Sequence, residues 1–206
     1  MLEEMIVTLQ LKLGSLWSEE ALSERVGIGS TPVREAVKRL QVDSLLQILP
    51  RHGLQIAEID PHEQLQVVDL RRELETFVSV RAAKRALRPE RERLRMLAET
   101  LVAPAREGDV GKYTLGVLDA DRYVAEIGRN PFAARAISPL HALSRRFYFA
   151  FYGELMNLRD AGPLHVERAR AVADGDEART RRAGGSAHGR DRALHPLYFR
   201  GRAGPT

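Results

Sequence analysis

The feature that most constrains this chain is the interruption Gly27-Ile28-Gly29-Ser30-Thr31-Pro32. Glycine disfavours a helix interior, and proline is tolerated in a helix only at its first turn. One helix must therefore end at this break and another begin within it. Ser18-Glu19-Glu20 opens the first, with a hydroxyl cap followed by two carboxylates near the positive end of the dipole. That helix is predicted to run to Val26. Thr31 as cap and Pro32 at the first helical position open the second, which continues through Leu40 to about Asp43. Two short apolar runs follow, Leu45–Leu49 and Leu54–Ile59, and Pro50-Arg51-His52-Gly53 between them reads as a hairpin tip. Helix, glycine turn, helix and hairpin is the layout of a winged helix-turn-helix.

The second helix has two different faces. Taking Val33 as reference at 100° per residue, Ala36, Val37 and Leu40 fall within about 60° of it, whereas Thr31, Arg34, Lys38 and Gln41 lie roughly 80–160° away. The first set suits packing. The second offers two cations, an amide and a hydroxyl, the groups that reach phosphates and base edges in a major groove. Taken alone, such a pattern is also what an ordinary solvated face looks like. The glycine turn, the Thr-Pro start and the wing together favour double-stranded DNA as the partner. Arg51 and His52 at the hairpin tip suit a phosphate or minor-groove contact.

Asp60-Pro61 then punctuates the chain, and from His62 onward the pattern is helical, with Leu70, Leu74, Phe77 and Val78 at spacings of three to four. Helices are expected near 62–87, 89–107, 110–127, 131–155 and 163–174. The expected fold is mainly α: a winged helix-turn-helix over 1–60, then an all-α helical bundle over 61–178. Residues 179–206 change character, with seven arginines, five glycines and a proline at Pro196. A glycine in a helix interior costs about 1 kcal/mol relative to alanine. This tail is therefore expected to be non-helical, an Arg/Gly-rich segment of the kind a shifted reading frame in a GC-rich gene would produce.

Composition enters as a set of exclusions. No cysteine is present, which removes disulfides and thiolate chemistry. No run of 18 apolar residues occurs, and Met1-Leu2-Glu3-Glu4 lacks the basic flank of a signal peptide, so a cytoplasmic protein is expected with no membrane partner. The net charge of +4 and pI near 9.7 suggest a nucleic-acid partner until they are divided along the chain. Residues 1–60 carry a net −3, residues 61–178 a net +1 and residues 179–206 a net +6. The excess lies in the tail, not in the DNA-reading segment.

Ser18–Arg39 (SEEALSERVGIGSTPVREAVKR) together with Pro50–Gly53 resembles the DNA-binding domain of GntR-family transcriptional regulators, and the later helices resemble the all-α FCD domain of the FadR subfamily. The resemblance implies operator contacts at Thr31, Arg34, Arg51, His52 and Gly53. It also implies a homodimer presenting two reading heads to a palindromic operator. Ser30 stands where relatives usually carry a guanine-reading arginine; a serine still bonds a phosphate or base but forgoes the bidentate pair, worth ~1–3 kcal/mol of discrimination. Ser44 replaces the glycine that commonly ends the recognition helix.

The FCD resemblance further implies a divalent metal (Zn, Ni or Mn) held by an aspartate and three histidines, with room for a carboxylate ligand. His165, with Ala171, Val172, Gly175 and Asp176, reproduces the family spacing. The family's first histidine falls on Asp121, its aspartate on Val117, and its last histidine on Ala187, one residue before His188. An incomplete metal site at Asp121 and His165 follows, with His141 a substitute ligand. Asp119 and Asp121, two apart on a helix, face different ways. Arg71 or Arg72, His141 and Arg145 are positioned to clamp an anionic effector, a small organic acid, while Arg146 reads as a surface arginine. The aromatic run Phe147, Tyr148, Phe149, Phe151 and Tyr152 reads as core or dimer interface. The expected function is a ligand-responsive DNA-binding regulator, and a repressor. The alternatives are a paralogue that binds DNA with a degraded effector site, or a metal-dependent enzyme using Asp121, His141 and His165. The enzyme reading lacks a recognisable nucleophile and leaves the winged helix unexplained.

Overall fold

The computed structural model describes the backbone of residues 1–151 and 158–202, and the side chains of these residues apart from Pro61 and 190–202. Tyr152 and the end of the helix expected over 131–155 lie outside the described residues.

The reading head forms as its local signals require. Helix α1 (Leu2–Val7) precedes a two-residue strand β1 (Leu16–Trp17), then α2 (Glu19–Val26) and α3 (Ser30–Val42). Ser18 Oγ accepts from Ala21 N–H at 3.1 Å and caps α2, and Gly27 closes that helix at φ +67°. Helix α3 starts two residues earlier than expected: Gly29 is its cap, and Thr31 and Pro32 lie within its first turn, where the missing proline N–H has no partner to lose. Strands β2 (Leu46–Leu49) and β3 (Gly53–Ile56) make the hairpin, and β1 pairs antiparallel with β3 to complete a sheet of order β1-β3-β2. Leu22, Val33, Val37, Leu40, Leu45 and Ile56 fill the core beneath it.

Ser44 sits at φ +59°, the left-handed conformation that glycine adopts at low cost. Its N–H donates to Gln41 O, and Leu45 N–H donates to Leu40 O at 2.9 Å. The helix ends in a Schellman arrangement, with buried Leu40 and Leu45 closing it.

Among the described residues seven helices follow: α4 (Pro61–Arg85), α5 (Arg88–Thr100), α6 (Val102–Glu107), α7 (Val110–Ile127), α8 (Pro131–Phe151), α9 (Leu158–Asp174) and α10 (Glu177–Arg202). Asp60 caps α4 through His62 and Glu63 N–H, Asp109 caps α7 through Lys112 N–H, and Asn130 receives Phe132 and Ala133 N–H. Pro139 and Pro163 lie inside α8 and α9, so Pro163 does not open its helix as expected. Arg91 joins two helix ends by donating to Ala83 O and Ala86 O of the α4 terminus and to Ala173 O of α9.

The non-helical tail is overturned by α10, which packs along α4 and α9. Its buried residues Thr180, Ala183, Ala187 and His188 recur at helical spacing. They are small, so the face carries almost no hydropathy signal, and the glycine cost is offset by the contacts of the whole helix with α4 and α9; a Cβ at Gly184 would meet only ordinary contact, 3.8 Å from Thr76 Oγ1. Arg179 fastens the helix to α9 through Glu167 and Asp174.

Helix α8 bridges the two halves. Ala142 lies in the same core as α1 and α3, Arg146 donates to Ala57 O at 3.1 Å, and Arg145 binds Glu4 of α1. Arg146 is thus buried rather than on the surface, and burial pushes its guanidinium pKa down to about 10.

Candidate functional site: reading head and buried polar cluster

On the reading head, Ser30, Thr31, Arg34, Lys38, Arg51, His52 and Gly53 are all exposed. Arg34 pairs with Glu19 at 2.9 Å and Lys38 with Glu35 at 3.1 Å, both on open surface where such pairs contribute at most about 1 kcal/mol. Both cations can exchange these partners for phosphates. Arg51 holds φ +64° at the wing tip, a strained conformation for a side-chain-bearing residue and one that recurs at binding sites. Gly53 has a structural requirement of its own: at φ +90°, an added Cβ would sit 2.6 Å from Trp17 O and break the β1–β3 pairing.

The second site is built by α4, α7, α8, α9 and α10. Arg71 and Glu75 are one turn apart on the buried face of α4, with Nε to Oε1 at 2.7 Å. Arg168 of α9 bridges the Glu75 and Asp121 carboxylates. His141 Nε2 lies 3.0 Å from Glu75 and 3.8 Å from Asp121, and His188 Nε2 lies 2.9 Å from Glu75. Burial alone would push the Glu75 carboxyl up; Arg71 and Arg168, with His188 and His141, overcome this and hold it well below the usual carboxylate range. Beside this cluster is a narrow, partly open cavity of about 30 Å³. Val110, Val117, Leu118 and Leu158 make an apolar wall, and Arg71, Asp121, His141, Arg145 and His165 contribute the polar one.

Of the residues expected here, Arg71, Asp121 and His141 come together, and Arg145 and His165 line the same cavity. His165 is not part of the compact donor group: Tyr113 Oη lies 2.6 Å from its Nδ1. Arg72 faces solvent and pairs with Glu73. Glu75, Arg168 and His188 were missed. Each had a signal: Glu75 is four residues from Arg71, Arg168 three from His165, and His188 one from the position the family spacing assigns to histidine.

Glu75, Asp121 and His141 place one ligand atom each within 4.8 Å of one another, a group that could hold a cation. The full surroundings fit a divalent ion poorly. Arg71 and Arg168 already neutralise both carboxylates, and Val117, at the position the family gives to aspartate, presents a hydrocarbon to the cavity. Of the ligands expected, Asp121 and the substitute His141 fall within this donor group, with Glu75 as the third member, and His165 lies outside it.

A winged helix-turn-helix joined to an all-α helical domain is the architecture of a DNA-binding transcriptional regulator. Residues 1–56 match the gntR family of bacterial regulatory proteins and residues 66–186 match the FCD domain, beyond the boundary expected at 178. The chain belongs to this family of regulators, which are not enzymes. Over 60 residues it is 37% identical to an uncharacterized HTH-type transcriptional regulator in an unstable DNA locus of Streptomyces ambofaciens, covering 29% of this chain and 25% of that one. Over 66 residues it is 33% identical to a regulator from Agrobacterium vitis, covering 32% and 39%. The matches thus span well under half of these relatives. Among solved structures, McbR/YncC of E. coli superimposes with TM-score 0.84 at 20% identity, over 96% of this chain and 94% of that one. A GntR regulator from Rhodococcus gives 0.69 at 16% over the same shares. At these identities the likeness concerns the fold. Among the described residues, no helix is long and apolar enough to cross a membrane.

Proposed function

We propose that this regulator is a cytoplasmic repressor that binds a palindromic operator as a homodimer and is released by a small organic acid held in the α7–α8–α9 cavity. Ser30, Thr31, Arg34 and Lys38 of α3 meet the major groove, and Arg51, His52 and the Gly53 backbone meet the flanking phosphates or minor groove. The observation that carries the effector reading is the cavity itself: an apolar wall facing Arg71 and Arg145 matches a hydrocarbon body ending in a carboxylate. Arg168 supplies the local positive charge that Zn, Ni or Mn would otherwise provide.

Selection of bound sequences from random DNA with the full chain tests the first half. Enrichment of a two-fold symmetric site, bound with a steep salt dependence, is expected. Failure to enrich any sequence would refute operator binding. Mobility shifts on the selected site with a panel of organic acids test the second half, and release by none of them would leave DNA binding standing and refute induction.

A further inference from the structure

Two residues that line the cavity each carry a buried donor with no acceptor among the described residues: Ser144 Oγ and Arg145 Nε. Both residues are almost fully buried, at 1% and 6% exposure. Buried donors are ordinarily paired, so unpaired ones on two consecutive cavity-lining residues mark where an acceptor is expected. The other end of the same guanidinium is engaged outside the effector domain. Arg145 Nη1 and Nη2 form a fork on the Glu4 carboxylate at 3.0 and 2.6 Å, and Glu4 belongs to α1 of the reading head.

Resting on the effector-responsive reading above, we propose that a ligand carboxylate accepts from Ser144 Oγ and Arg145 Nε and thereby competes with Glu4 for the single charge of Arg145. One guanidinium then serves two carboxylates, one from the cavity and one from the reading head. Each weakens the hold of the other through like-charge repulsion. Occupation of the cavity loosens α1 from α8 and frees the reading head to change its setting. Glu4 is not stranded by this, because Arg122 also attracts it and its side chain is 41% exposed. Coupling of this kind is reciprocal: whatever ligand does to the α1 contact, the α1 contact does to ligand affinity.

The test is calorimetric titration of the full chain with sodium benzoate and sodium hexanoate, and with benzamide and hexanamide as neutral counterparts. The wild type is expected to bind a carboxylate and not its amide. Glu4→Gln, which leaves Arg145 uncommitted, is expected to bind that carboxylate about fivefold tighter or more. Arg145→Met is expected to bind neither form. Hydrogen exchange at residues 2–7 is expected to rise in the wild type on adding the carboxylate and to be high without it in Glu4→Gln. The proposal is overturned if no carboxylate binds any of the three proteins. It also fails if amide and carboxylate bind alike, or if Glu4→Gln binds no tighter than wild type. A chain that shows this linkage yet selects no DNA would refute the regulator function and leave the linkage intact.

Discussion

Arg168→Met tests whether an arginine is the resident cation of the effector domain. Arg71 and Arg168 carry two positive charges and Glu75 and Asp121 two negative ones, all with side chains at most 8% exposed. These four charges cancel. Methionine keeps much of the stem volume and removes the guanidinium, so Glu75 keeps Arg71 and Asp121 loses its arginine. Breaking a buried ion pair by removing one partner costs about 3–5 kcal/mol, because the remaining charge is left in a poorly solvated place. At about 2–4 °C per kcal/mol for a chain of this size, the melting temperature should fall by about 6–20 °C. Thermal unfolding followed by circular dichroism reads this directly. The variant also opens the Glu75, Asp121 and His141 donors, so Zn, Ni or Mn should restore part of the loss. An ion at a hundred times its Kd would return about 2.7 kcal/mol. The wild type should gain little from the same ions. A loss below about 1 kcal/mol, or equal stabilisation of both proteins by metal, would refute the reasoning.

Three further outcomes are expected. Ser44→Gly should stabilise the chain by about 1 kcal/mol, since the position already holds a left-handed backbone; a lower denaturation midpoint in urea would show that the serine side chain has a use there. Arg34→Ala should weaken operator binding and shallow its salt slope by about one without altering the melting temperature, because the side chain is 58% exposed; unchanged affinity at physiological salt would remove Arg34 from the interface. The hydrogen bond from Arg145 holds the Glu4 carboxyl below its ordinary pKa, so the stability it adds is complete above the unfolded value and is lost as pH falls through the lower folded one. Protection of residues 2–7 against hydrogen exchange, taken relative to the intrinsic rate at each pH, should therefore hold across neutral pH and fall only in acid below the ordinary glutamate range, a dependence that Glu4→Gln should abolish.

What could be read in advance divides according to how far apart the deciding residues lie in sequence. Ser18, Gly27, Asp60 and Asp109 act within three or four residues of themselves, and the reading head and most helices followed from such signals. Strand β1 did not, because two residues have no periodicity and Leu16–Trp17 becomes a strand only by pairing with β3 some forty residues later. Helix α10 was hidden for a different reason. Its buried face is made of threonine, alanine, glycine and histidine, which register as composition bias in a hydropathy scan yet suit two helices packed closely. The buried cluster was half legible. Arg71, Asp121 and His141 stood out as charged or polar residues on helix faces, but whether an arginine or a metal neutralises the acids depends on Arg168, which approaches from another helix.

The charge distribution shows why net charge predicts so little here. The reading head is net −3, and several of its acids are committed to particular partners. Glu19 and Glu35 sit on Arg34 and Lys38 at exposed positions, where water and salt make each pair cheap to exchange for a phosphate. Glu4 is different: its partner Arg145 is buried and lines the cavity. The described part of the basic tail is likewise committed, since Arg179 is bound to Glu167 and Asp174 and fastens α10 to α9. Function therefore depends on which ion pairs can be exchanged, and for what. On the reading proposed above, exposed pairs on α3 yield to DNA, and the Arg145–Glu4 pair between the two domains yields to a carboxylate.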